Sequence, residues 1–101
     1  MSESEFNELA DAVFSHIEHV IESGDIDYDN NGVVMEIEFG DGSKLIVNRH
    51  APNREIWLAA KSGGFHFGYI GGSWISQRDG SELYAKLGQL VQIGSGKSLQ
   101  F

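Results

Sequence analysis

Apolar residues recur at helical spacing near the start of the chain. Phe6, Leu9, Ala10, Val13, Phe14, Ile17, Val20 and Ile21 fall on one stripe when placed at about 100° per residue. The spacing predicts a helix from about residue 6 to residue 21 or 22. Ser4 is the expected N-cap, with Asn7 at the capping-box position. Glu8, Asp11, Glu18 and Glu22 lie opposite the stripe, with Ser15 and His19 among them. Ser23-Gly24 ends the helix. The period then changes to two. Asp25-Ile26-Asp27-Tyr28-Asp29 alternates strictly, so a strand here carries its carboxylates on one face and its apolar residues on the other.

Asn31-Gly32 is a strong hairpin signal. The next strand spans residues 33–39, with Met35, Ile37 and Phe39 on one face and Val34, Glu36 and Glu38 on the other. Gly40-Asp41-Gly42-Ser43 turns the chain into a strand over 44–49, and Pro52 marks a connection to another over 55–60. Ser62-Gly63-Gly64 and Gly71-Gly72 bound strands over 65–70 and 73–76. Asp79-Gly80-Ser81 precedes a second helix of about 82–91, with Leu83, Leu87, Leu90 and Val91 as its apolar side. Gly94-Ser95-Gly96 ends it, and Leu99 and Phe101 read as a docked tail.

Tight turns require antiparallel pairing, since parallel strands need long crossovers. Two amphipathic helices must bury their stripes on something. The expected fold is therefore α+β: a two-layer α-β-sandwich, two helices on one face of an antiparallel sheet of about six strands. The other sheet face is left to solvent. The 101 residues are expected to form a single domain spanning 1–101.

Charge sharpens this picture. Up to Ser43 the chain has no Lys or Arg and twelve of its fifteen acidic residues; the remainder carries all seven basic residues. Such imbalance costs stability through self-repulsion, so it points to function. Glu22 also stands near the negative end of a helix dipole, where a carboxylate is unfavoured. Nucleic acid and anionic membrane are disfavoured as partners, because both demand clustered Lys and Arg. Cys is absent, which removes disulfides, zinc knuckles and thiol nucleophiles. No apolar run approaches the ~20 residues of a membrane span. The glycine pairs are not followed by Lys-Ser/Thr and a helix, so no phosphate loop is expected. The histidines lack a Ser or Cys partner at recognisable spacing, so no catalytic triad is expected.

Carboxylates are hard ligands, suited to hard cations and to iron in either oxidation state. Spread over a helix face and the next strand, they predict an open, hydrated, weakly selective site. His19, near Glu18 and Glu22, adds a mixed nitrogen–oxygen option. The plain alternative is that the acidic residues merely solvate the helix. Glu36 and Glu38 are expected apart, on the open sheet face. Trp57 is the other candidate. If Ile56 and Leu58 face the helices, Trp57 stands on the open face as an interface anchor; the opposite register would bury it.

The run Asn48-Arg49-His50-Ala51-Pro52-Asn53-Arg54-Glu55-Ile56-Trp57-Leu58-Ala59-Ala60, followed by Gly63-Gly64-Phe65-His66-Phe67, resembles the frataxin signature. Trp74-Ile75, Arg78-Asp79-Gly80, Ser4-Glu5-Phe6 and Leu9-Ala10-Asp11 continue the pattern over essentially the whole chain. The short acidic start is similar to the bacterial, CyaY-type branch, which implies a cytoplasmic protein. The resemblance implies the same sandwich and a role in iron–sulfur cluster assembly, as an adaptor or regulator rather than an enzyme. It implies weak, exchangeable binding of Fe2+ or Fe3+ by Glu18, Glu22, Asp25, Asp27 and Asp29, with Asp11 earlier on the same helix face. The implied partners are the cysteine desulfurase and the iron–sulfur scaffold protein. Glu18, Glu22 and Asp25 would meet the partner, with Trp57 as an exposed contact and Asn48, His50 and Arg54 sharing its surface. A monomer is expected. Iron delivery to the scaffold is the alternative role, with ferroxidase activity third. The chain departs from the family pattern at the short Glu22-Ser23-Gly24-Asp25 link and at His19, where a second acid often stands.

Overall fold

The computed structural model describes residues 1–101. Helix α1 (Glu3–Ser23) leads into six strands: β1 (Asp27–Asn30), β2 (Val34–Glu38), β3 (Lys44–His50), β4 (Glu55–Ala60), β5 (Gly63–Ile70) and β6 (Ser73–Ser76). A 3-10 turn (Ala51–Asn53) joins β3 to β4, and helix α2 (Leu83–Ser95) follows β6. The strands pair in sequence order, every pair antiparallel. This is the two-layer α+β sandwich that the periodicities predict.

Strand alternation sorts the side chains. Met35 and Ile37, Leu45 and Val47, Ile56 and Leu58, and Phe67 are fully buried on one sheet face. From the helices, Phe6, Ala10, Val13, Phe14, Ile17 and Ile21 of α1 join Leu83, Leu87 and Val91 of α2 in the same core. Ile56 and Leu58 therefore face the helices and Trp57 faces solvent. Trp74 packs edge-on against Phe6, with ring centroids 6.1 Å apart.

The helix ends differ from the expectation. α1 is capped by Ser2, not Ser4. Ser2 Oγ accepts from the Glu5 amide at 3.0 Å, and Glu5 Oε1 accepts from the Ser2 amide at 3.3 Å. Ser2-x-x-Glu5 makes a reciprocal box that Ser4 and Asn7 do not, so the helix gains a turn. The Ser2 amide and hydroxyl hold the Glu5 carboxyl below its usual range. α2 continues through Gly94 and Ser95 and stops at Gly96, which takes the left-handed conformation at φ 76°. β1 begins at Asp27, because Asp25 is itself left-handed, at φ 55°, and belongs to the turn.

The tail docks as expected. Leu99 and Phe101 pack on the core, and His16 Nε2 lies 2.7 Å from the Phe101 carbonyl oxygen. Gly94 is required for a different reason from the turn glycines. A Cβ there would stand 2.3 Å from Cε2 of Phe39, whose ring is buried. Gly94→Ala sets about 1 kcal/mol of helix propensity against an overpacking cost of about 1–3 kcal/mol. Net destabilisation is expected, read as a lower urea midpoint with unchanged denaturant slope.

Candidate functional site

β1 is the edge strand, and its alternation decides where the acidic residues go. Tyr28 pairs with buried Ile37, so Tyr28 and Asn30 turn towards the helix layer. There the Tyr28 hydroxyl donates to Glu22 Oε1 at 3.0 Å, and Asn30 Nδ2 donates to Glu18 Oε2 at 3.0 Å. Two carboxylates of the α1 face thus fasten the edge strand to the helix. Partial burial, the hydrogen bond to Glu22 and the negative charge of Glu18 and Glu22 push the Tyr28 phenol up to about 12.

Asp27 and Asp29 occupy the alternate positions and turn to the open face. Asp27 stands opposite Glu38, and Asp29 opposite Glu36. This corrects the expected ridge. The strand carboxylates do not continue the helix face on the same side of β1; they join Glu36 and Glu38, which were expected to stand apart. The acidic surface wraps the sheet edge, with Glu18 and Glu22 on the helix side and four carboxylates on the other. Lys44, opposite Glu38 and 3.8 Å from Glu36, is the cation paired with these four. Asp25 lies in the α1–β1 turn, lining a shallow cleft with Asp27, Glu38, Asp41 and Lys97. Ser43 donates to Asp41 Oδ1 through Oγ and its amide, and holds that carboxyl below its usual range.

Asp11 shares the helix face but is already paired. Arg49 Nη1 donates to Asp11 Oδ1 at 2.8 Å, and its guanidinium lies 4.6 Å from the Phe14 ring centroid. The Arg49 side chain is largely buried, so this pair is fixed and Asp11 is a weak candidate ligand. His19 is exposed on α1. No three His, Asp or Glu side chains converge closely enough to hold an ion between them. The donor set still fits a hard cation: exposed or half-buried carboxylates, none sequestered in an apolar pocket, able to act through bound water.

Trp57 stands half-buried on the open face between two imidazoles. Its ring lies 3.9 Å from that of His50, with planes 7° apart, and 4.1 Å from that of His66, with planes 8° apart. Its Nε1 donates to Glu55 Oε1 at 2.8 Å. Asn48 and His66 are its direct cross-strand partners. Arg54, left-handed at φ 54°, instead directs Nη1 back to the Ala51 carbonyl and closes its own turn. His66 and Glu55 were missed as members of this group. The signal for His66 is the register, which brings β5 beside β4 and is invisible until the strands are paired; Glu55, two residues from Trp57 on β4, shares its face by alternation alone.

A family model described as a frataxin-like domain matches residues 1–97. The chain belongs to the frataxin family. A frataxin from Psychromonas ingrahamii superimposes on this frataxin-like domain with a TM-score of 0.93 at 38% identity, over 99% of this chain and 97% of that one. Trimeric frataxin from the yeast Saccharomyces cerevisiae, complexed with ferrous iron, gives a TM-score of 0.71 at 28% identity, over 96% and 88%. Among curated proteins, the iron-sulfur cluster assembly protein CyaY of Neisseria meningitidis serogroup B is 45% identical over 99% of this chain and 95% of its own length. The frataxin-like domain has no helix long and apolar enough to cross a membrane.

The Tyr28–Glu22 bond makes an alkaline prediction. A phenol raised above its ordinary value of 10.0 in the folded state stabilises fully below that value. That contribution is lost as pH rises through about 12. Unfolding free energy should therefore fall across this window, and Tyr28→Phe should flatten most of the fall. Tyr84, pushed up by burial and Glu82, supplies the remainder. Phenolate absorbance against pH, with and without Ca2+, checks the link to the acidic surface: a cation at Glu22 should lower the Tyr28 transition.

Proposed function

We propose that this frataxin-like domain is an iron-binding adaptor and regulator of iron–sulfur cluster assembly, acting on the cysteine desulfurase–scaffold complex. The observation that carries the reading is the wrapped acidic edge. Glu18, Glu22, Asp25, Asp27, Asp29, Glu36 and Glu38 concentrate negative charge around one strand, against a single loose pair to Lys44. A field of this kind attracts and orients a basic protein surface. The same carboxylates take up Fe2+ or Fe3+ weakly, as cargo or signal. Basic partner and cation compete for one surface, which makes docking iron-sensitive. The name of the meningococcal relative, an iron-sulfur cluster assembly protein, supports the pathway.

Trp57 supplies the second contact. It stands on the open face with Asp27, Asp29, Glu36 and Glu38, so one partner surface could engage both. Flanking imidazoles hold the indole in place, which lowers the entropy lost on binding. The domain is proposed to work as a cytoplasmic monomer, without chemistry of its own. The second reading is an iron chaperone donating Fe(II) to the scaffold, favoured by the ferrous iron bound to yeast frataxin.

Charge reversal of Glu18, Glu22 and Asp25 to Lys should weaken desulfurase binding by about a hundredfold, and raised salt should weaken the wild type. Unchanged affinity would remove the acidic edge from the interface. Trp57→Ala should cost about 2 kcal/mol of binding to the desulfurase–scaffold complex without changing that salt dependence. Titrating the desulfurase complex with Fe(II) separates the two roles: an adaptor is displaced or retuned, whereas a donor transfers its iron to the scaffold.

A further inference from the structure

α1 ends with Glu22 in its last turn and no basic residue there, although the helix dipole is negative at that end. The turn that follows adds Asp25. The answering charge comes from the other end of the chain. Lys97 Nζ donates to the Gly24 carbonyl oxygen at 2.5 Å, across 73 positions of sequence. Gly96, in the left-handed conformation, ends α2 just before it. The Leu99 side chain then rests on Gly24, where an added Cβ would stand 2.6 Å from Cδ1. The Phe101 carbonyl meets His16. Lys97 is thus held in place by a tail anchored beyond it.

Lys97 is the one basic residue lining the cleft of Asp25, Asp27, Glu38 and Asp41. Its ammonium is bonded to a neutral carbonyl and belongs to none of the molecule's ion pairs. It is a positive charge delivered into a negative cleft without being committed to any carboxylate there. We infer that Lys97 is a tethered counter-ion that competes with incoming cations for this cleft, so that the C-terminal tail sets the cation affinity of the acidic edge. The inference rests on the proposed role of that edge and adds its regulation. A bound metal ion, or a basic side chain of a partner, takes over the work of Lys97. The ammonium is then released from the cleft while Leu99 and Phe101 keep the tail docked.

One unit charge close to a divalent ion alters its affinity by about threefold to tenfold at low salt, an effect that fades as the Debye length shrinks. The test uses the full chain and Mn(II) alone, followed by paramagnetic broadening of backbone amides. Lys97→Met should tighten Mn(II) binding at Asp25, Asp27, Glu38 and Asp41 by about that factor, and the gain should vanish at high salt. Lys97→Arg should behave as wild type. Equal affinity in wild type and Lys97→Met overturns the inference, as does an equal gain in Lys97→Arg. If Leu99 and Phe101 shift to unfolded positions in Lys97→Met and the gain survives high salt, the tail's bulk limits access and the inference also fails. Mn(II) binding with one affinity in all three proteins removes only the role of Lys97. No broadening at Glu18, Glu22 or the cleft in any of them removes the cation-binding reading of the acidic edge as well.

Discussion

Met35, Ile37, Leu45, Val47, Ile56, Leu58 and Phe67 reach from four strands into one apolar layer that the stripes of α1 and α2 close from above. That layer is the only large burial the chain has, and it sets the strand register. A slip of one residue in any strand would exchange its two faces and expose these side chains. Fully burying each is worth about 1.5–3 kcal/mol, so no slipped arrangement competes. The residues between them are thereby assigned to the opposite face. Trp57, His50, His66, Asp27, Asp29, Glu36 and Glu38 are displayed together because their neighbours are buried.

The acidic edge works against the fold that displays it. Asp27 faces Glu38 and Asp29 faces Glu36, and like charges directly opposed across a strand pair are destabilising. β1 is short and lies at the edge, where little else holds it. Its attachments are Tyr28 and Asn30, which bond the Glu22 and Glu18 side chains of α1. The acidic residues of the helix therefore serve two ends: they tie down the edge strand and contribute to the surface field. A charged edge also discourages pairing with a strand of another chain. The opposed pairs Asp27–Glu38 and Asp29–Glu36 remain an electrostatic cost that the proposed binding role explains.

The open face joins this charge to an ordered aromatic group. His50, Trp57 and His66 come from three adjacent strands and stack with nearly parallel planes. Glu55 fixes the indole further through Nε1. The result is a rigid aromatic group on the sheet face that also carries the strand carboxylates, which suits the proposed docking onto a basic partner. Membership of the frataxin family places this arrangement in a fold that a relative retains at 38% identity.

Periodicity alone was enough for the elements, the antiparallel order and the docked tail. These follow from repeats of 3.6 and two residues, which are local properties of the chain. Alternation put Ile56 and Leu58 on one face and Trp57 on the other, and the packed structure decided that Ile56 and Leu58 are the buried pair. Ser2 and Glu5 could have been read as the cap of α1, since their spacing is the capping-box spacing. Other features were beyond the sequence. The strict alternation of residues 25–29 showed that Asp27 and Asp29 share a face, but not which one; pairing of Tyr28 with Ile37 decided that. The engagement of Asp11 by Arg49, of Trp57 by His66 and of Gly24 by Lys97 depended on strands and termini meeting across long stretches of chain. The sequence determined which residues share a face and how much negative charge the chain carries. Only the tertiary structure decided which carboxylates are already paired, which side of the edge they occupy and which cation answers them. Periodicity is set by neighbours along the chain, whereas electrostatic partners are set by neighbours in space.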